Sequence, residues 1–282
     1  DVHDPPDTRI HGRGHKTVAI AGMGHPGTFG KSELQRLARS LTEAVAALPA
    51  VKTVNMLLIG SGNGNLEVPN ALDGCLRGGE ALARWNHPER GVIPPDAFIP
   101  LAEETNTITK ITRLALTEAC RAINDGTVCR VSVNISATDL AQPNFGALVH
   151  EVLQQSGVRP DDITLEITES RVMQHADALQ AFTALRRVGV RLALDDFGTG
   201  YSSLAALREF PINQLKIAKP FIDDLEIDPA AVKFVELIVG LGKSLDMEVV
   251  AEGIERKAQV DILASLGCHL GQGYYFARPL TV

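Results

Sequence analysis

The chain has 282 residues, 45% of them hydrophobic, with a formal net charge of −7 and an isoelectric point near 5.6. That length accommodates one large α/β barrel or two ordinary domains. An acidic chain lacks the basic surface that grips a DNA or RNA polymer, and no apolar run reaches the roughly 18 to 20 residues of a membrane span.

The N-terminal stretch "DVHDPPDTRIHGRGHK" has no apolar signal-peptide core and no initiator methionine, so the sequence reads as a fragment. His3, His11, His15 and His25 match no metal-ligand spacing. In "TVAIAGMGHPGTFGKS", Gly22, Gly24 and Gly27 satisfy G-x-G-x-x-G ahead of a helical pattern. No acidic residue follows in a second strand at the required distance, and Pro26 interrupts the loop. Five residues, rather than four, separate Gly24 from Gly30-Lys31-Ser32, so the phosphate-loop spacing fails too. A plain strand-turn-helix connection is the preferred reading, with nucleotide binding as the alternative. Cys75, Cys120, Cys129 and Cys268 form no CxxC pair, which points to reduced thiols in a cytosolic protein.

From about residue 79 a regular alternation sets in. Strand candidates are "EALARW", "RVSVNIS", "ITLEITE", "VRLALDDF", "QLKIAK", "EVVAEGI" and "LGQGYYFA". Amphipathic stretches such as "ITRLALTEACRAIN", "FGALVHEVLQQSG" and "AVKFVELIVGLGKSLD" lie between them. Alternating strands and helices predict parallel βαβ units, and "TVNMLLIG" is the candidate for the eighth strand of a TIM-like (β/α)8 barrel. Trp85 is expected to pack the barrel.

Glu80, Asn134, Glu166, Asp195, Asp196, Lys216, Glu252 and Gln272 fall in or at the ends of these strands. In such barrels the strand ends converge on one mouth. Singly, each polar residue has a bland explanation as a cap or a solvated side chain. Together they do not make a core, because unpaired buried charge is too costly. Oxygen ligands in this number, without His or Cys, suit Mg²⁺ or Mn²⁺ rather than Zn²⁺. The adjacent Asp195 and Asp196 suggest two metals roughly 3.5 to 4 Å apart, the arrangement used on phosphodiesters. Lys216 would hold the attacking water or offset phosphate charge, and Glu252 could take the proton. The residues themselves reach a two-metal phosphodiesterase and no particular substrate.

The segments "GEALARWNHPERGVIPPDAFIPLAEET", "NIS", "LEITES", "LALDDFGTGYSSL", "LKI", "VVAEGIE" and "GCHLGQGYYFARPL" resemble, in order and spacing, the EAL domain of bacterial cyclic-di-GMP phosphodiesterases. The resemblance covers residues 79–282, leaving 1–78 as an N-terminal segment that could supply the first barrel strand. It implies a bacterial cytoplasmic enzyme that linearises cyclic di-GMP to pGpG with two Mg²⁺ or Mn²⁺ ions, and a homodimer formed near the loop after the aspartate pair. By motif, Glu80, Asn134, Glu166 and Asp195 resemble ligands of one metal. Asp195 would bridge to the second, held by Asp196. Lys216 and Glu252 resemble the water-contacting lysine and the general base. Arg84 and Gln272 are similar to substrate-binding residues, and Glu169 and Glu255 to supporting ones, with Glu169 anchoring the loop after Phe197.

Two departures stand out. "LKIAK" places Ala218 where the family has an aspartate, and "NLEVPNALDGCLRGGEAL" replaces the usual first strand, with Val68 at the position of a substrate-contacting glutamine. They keep open a second reading, an EAL-like module that binds cyclic di-GMP or a partner protein without cleaving it.

Overall fold

A computed structural model of the chain describes residues 55–59, 78–87, 91–173, 178–200, 204–276 and 280–281. The glycine-rich motifs, the histidine cluster, Val68 and Cys75 lie outside the described residues. Ten strands form one sheet system: β1 (Asn55–Ile59), β2 (Gly79–His87), β3 (Gly91–Ile93), β4 (Val131–Asn134), β5 (Ile163–Thr168), β6 (Arg191–Phe197), β7 (Gln214–Ile217), β8 (Glu248–Ala251), β9 (Leu270–Gly271) and β10 (Leu280–Thr281). Their order is β10-β1-β2-β4-β5-β6-β7-β8-β9, with β3 attached to the outer end of β2. Every pairing from β2–β4 through β8–β9 is parallel, the arrangement of a TIM-like barrel. The segment expected to supply an eighth parallel strand does join the sheet, but β1 runs antiparallel to β2 and to β10.

The helices named here are α1 (Pro95–Glu104), α2 (Ile108–Asn124), α3 (Ala137–Leu140), α4 (Phe145–Ser156), α5 (Glu169–Met173), α6 (Ala178–Val188), α7 (Leu204–Glu209), α8 (Lys219–Asp223), α9 (Pro229–Ser244) and α10 (Lys257–Ser265). The long ones bury residues at helical spacing: Ala115, Leu116, Ala119 and Cys120 on α2, Val149, Val152 and Leu153 on α4, Val235, Ile238 and Val239 on α9.

Side-chain alternation along the strands sends the two faces of the sheet to different tasks. Leu165, Ile167, Leu192, Leu194, Leu215 and Ile217 are buried toward the helices. The intervening residues face the other way, and on β4, β5 and β7 they are polar: Ser132 and Asn134, Thr164 and Glu166, Gln214 and Lys216. The apolar core therefore lies between sheet and helices, while the barrel interior is reserved for charged chemistry. No helix among the described residues is long and apolar enough to cross a membrane.

Glu80 falls inside a strand, as expected, as the second residue of β2; β2 pairs with β4 only over Gly79–Ala81 and with β3 further along. One expectation is corrected. "LGQGYYFA" is a strand only at Leu270–Gly271, followed by a turn through Phe276. There the backbone bonds from Ile254 N to Gln272 O (3.0 Å) and Tyr275 N to Ile254 O (2.9 Å) curl the chain around the loop after β8. Gly273 passes so close to Ile254 that a Cβ would sit 2.2 Å from its backbone, which no side chain permits. Trp85 packs as expected, buried edge-on to Phe98 and beside Leu101 under α1.

Candidate active site

Lys216 is the centre of the site. Inward-facing on β7 and 1% exposed, its Nζ lies 2.6 Å from Glu166, 2.6 Å from Glu252, 3.4 Å from Asp195 and 3.6 Å from Glu80. These acids come from β5, the loop after β8, β6 and β2, so one ammonium draws four separate strands together. Burial acts to lower the lysine pKa, but the four carboxylates overcome it and hold the group well above its ordinary value.

The amides complete the ring. Asn134 Nδ2 donates to Glu80 Oε1 at 2.8 Å. Gln272 Nε2 donates to Glu80 Oε2 at 3.1 Å and to Glu252 Oε1 at 2.7 Å. Gln272 thus fastens two acids of the site in addition to any contact with a ligand, a role its place in the sequence did not indicate.

Two adjacent residues of a regular strand point to opposite faces. Asp195 and Asp196 escape that rule by a local break. The β6–β7 register shifts between Leu194 and Phe197, a bulge of the kind found beside active sites. Asp196 adopts φ 52°, a left-handed conformation that aspartate tolerates better than most residues. Its backbone N–H donates to Asp195 Oδ1 at 2.9 Å. Both carboxylates then lie with Glu252 in one group whose oxygens are within 4.8 Å of one another.

Three acids of the site resist ionisation. Burial raises Glu166 well above the usual carboxylate range, against the pull of Lys216. Burial, with Asp195 and Glu80, lifts Glu252 to about 8. Asp196 is raised by burial and by Asp195. Five carboxylates (Glu80, Glu166, Asp195, Asp196 and Glu252) against one ammonium leave four negative charges when all are ionised. Four charges and oxygen donors are what two hard divalent cations neutralise. The donor set therefore fits hard divalent cations, and Glu252 stands close enough to the aspartates to join it.

The remaining predicted residues sit further out. Arg84 shares the strand face of Glu80 by alternation, and its Nη1 donates to Ala83 O. Glu169, 1% exposed, accepts the Gly198 N–H at 2.7 Å, holding the turn after the aspartates. A Cβ on Gly200 would meet Glu169 Oε1 at 3.0 Å, so this glycine admits the close approach. Glu255 does not enter the mouth, because Lys219 Nζ holds it at 3.0 Å. Ala218 is fully buried at the N-cap of α8, with no side chain to accept an N–H there.

The sequence profile of the EAL domain matches residues 68–279. Among curated proteins, an uncharacterized signaling protein of Caulobacter vibrioides is 43% identical over 75% of this chain and 26% of its own length. The bifunctional diguanylate cyclase/cyclic di-GMP phosphodiesterase MucR of Pseudomonas aeruginosa is 41% identical over 74% of this chain and 32% of its own. The chain spans about a third or less of the length of these relatives. Among solved structures, the MucR phosphodiesterase of Pseudomonas aeruginosa in complex with c-di-GMP superposes with a TM-score of 0.77 at 36% identity, covering 88% of this chain and 98% of that one.

Proposed function

This chain belongs to the EAL-domain family, and from that premise we propose that it hydrolyses cyclic di-GMP to linear pGpG through the site around Lys216. The observation that carries the reading is the convergence on one buried ammonium of four carboxylates, three from strands and one from the loop after β8. A structural ion pair needs one acid, whereas these four with Asp196 leave a surplus of four negative charges, which marks a cation site.

Glu80, Asn134, Glu166, Asp195 and Asp196 would hold two Mg²⁺ or Mn²⁺ ions. When bound, such ions activate water and neutralise charge on the phosphate. The protein's own groups do the rest. Arg84 binds the phosphodiester as a charge-assisted donor. Lys216, fixed by Glu166, orients the water. Glu252, held near pH 8 by burial, accepts its proton, as suits a general base working near neutrality. Water oxygen bonds to phosphorus, the bond from phosphorus to the 3′ oxygen breaks, that oxygen takes a proton from solvent, and pGpG leaves with a free 3′ hydroxyl while Glu252 returns its proton to solvent. We take the catalytic domain as residues 79–282, joined by the preceding strand β1. The reading extends to a bacterial cytoplasmic homodimer formed near the turn that Glu169 anchors.

The test is incubation of purified protein with cyclic di-GMP and Mn²⁺, followed by chromatography for pGpG. Turnover is expected, with Glu80→Ala abolishing it. Tight binding without product sinks the catalytic reading in favour of a non-cleaving receptor, which the missing carboxylate at Ala218 supports. Ala218→Asp should raise turnover, since it supplies both an acid and a cap for α8.

A further inference from the structure

Lys216 lies on β7 and Glu252 directly after the adjacent strand β8, and each precedes a segment that leaves the barrel. The 2.6 Å contact between them depends on how those two segments are tied. Beyond the β7–β8 ladder, which ends at Ile217 and Ala251, backbone pairing adds Glu252 N to Ile217 O at 3.2 Å. A further tie between the two segments is a side chain on α10. Gln259, on α10, is completely buried and uses both ends of its amide. Its Oε1 accepts the N–H groups of Glu255 (2.8 Å) and Arg256 (2.9 Å), three and four residues beyond Glu252. Its Nε2 donates to Ile222 O at 3.0 Å, in the helix that follows β7 and Lys216.

A second fastening reinforces the first. Gly253, at φ +68°, lets the Lys219 stem pack where a Cβ would lie 2.5 Å from Lys219 Cγ. The Lys219 ammonium bridges Asp223 (2.7 Å) and Glu255 (3.0 Å). Arg256 reaches back to Glu226 and to Asp223 O. Exposed ion pairs of this kind contribute little alone, so the buried amide is the principal fastener.

We propose that Gln259 is a positioning residue that fixes the Glu252 carboxylate against Lys216 by clasping the loop after β8 to the helix after β7. This rests on the catalytic reading above only for its effect on rate. The contact itself can be read without turnover, from the Lys216 Nζ resonance in a proton–nitrogen correlation spectrum.

Gln259→Glu is the informative variant, because it keeps the acceptor for Glu255 and Arg256 and removes the donor to Ile222. If Gln259 merely caps α10, Gln259→Glu lowers stability, because it buries a carboxylate, but keeps the kcat and the Lys216 signal of the wild type. If it is a clasp, kcat falls roughly 10- to 100-fold, the range for outer-shell partners of a site, with KM little changed and the Lys216 signal displaced. Gln259→Met, which loses both functions, should match it in kcat and lie below it in melting temperature. Lys219→Met is exposed and keeps the stem over Gly253. It should lower kcat roughly tenfold at most, and it keeps the proposal testable should the buried variants not fold. Unchanged kcat together with an unchanged Lys216 signal in folded Gln259→Glu and Lys219→Met overturns the proposal, as does a fall in kcat with the signal unmoved. A displaced signal with unchanged kcat leaves the clasp intact and refutes the role of Glu252 in the reaction.

Discussion

Lys216 carries an ammonium into a place almost closed to water, where burial by itself would strip its proton. It stays charged because four carboxylates repay the lost hydration. The dependence is mutual, and it makes Lys216→Met a sharp test. In metal-free protein at pH 8, methionine removes the one cation and leaves the acids to repel one another. Stability in urea should drop by roughly 3 to 5 kcal/mol, the cost of breaking a buried pair. That loss should shrink as pH falls, because Glu166 and Glu252, already raised by burial, then take up protons. A loss independent of pH would mean that methionine simply packs badly.

At the scale of elements, the end of β6 decides the geometry of the mouth. The bulge, the left-handed Asp196 and the turn Gly198-Thr199-Gly200 act together, and each is supported from outside. Thr199 Oγ1 donates to Asp196 O at 2.8 Å, Glu169 holds the Gly198 N–H, and Phe221 and Phe234 close over Gly198. At φ +97°, a Cβ on Gly198 would lie 2.8 Å from Phe234 and 2.9 Å from Phe221. Gly198→Ala therefore combines backbone strain with overpacking, and a loss of roughly 1 to 3 kcal/mol is expected in thermal unfolding. Because the same turn presents Asp195 and Asp196, turnover should fall more than Gly267→Ala causes. At Gly267 φ is +79°, but the crowding atom is the movable end of Lys243. Equal effects of the two changes would show that the turn does not govern the site.

For the whole molecule, the unbalanced charge inside the barrel sets how stability responds to metal and to pH. Glu252 has a folded pKa of about 8 against an ordinary 4.5. An acid raised in this way favours the folded state below its ordinary pKa. That advantage is lost as pH climbs toward 8, because ionisation inside the fold is costly. Metal-free protein should accordingly lose stability over that window. A divalent cation reverses the sign by taking the place of the proton. At a metal concentration of 100 times Kd, linkage gives about 2.7 kcal/mol, so the melting temperature should rise by several degrees with Mg²⁺. The gain should grow between pH 5 and pH 8 and vanish with a chelator. Calorimetry with and without Mg²⁺ across that range measures it, and a gain that shrinks as pH rises would contradict the assigned cluster.

Much of this was legible in the linear sequence. Apolar runs ending in polar residues, separated by helical periodicities, determined the parallel sheet and its helical jacket, because burial of one face is a local pattern. The residue types at the strand ends determined the chemistry, since Glu80, Glu166, Asp195, Asp196 and Glu252 cannot share a core without cations. The tertiary structure decided what depends on register and on distant partners. It set the antiparallel direction of β1 and carried Glu80 to the mouth from the start of its strand. It also turned two consecutive aspartates to the same side. The sequence could name Lys216 as a member of the site, but only packing from β2, β5, β6 and β8 made it the centre. Gln259 was invisible for the same reason: a glutamine on a helix announces nothing until its amide is found buried between the helix that follows Lys216 and the loop that carries Glu252. Pattern reports what a residue must be next to in kind, and hydrogen bonds across 37 residues of chain settle which neighbour it is.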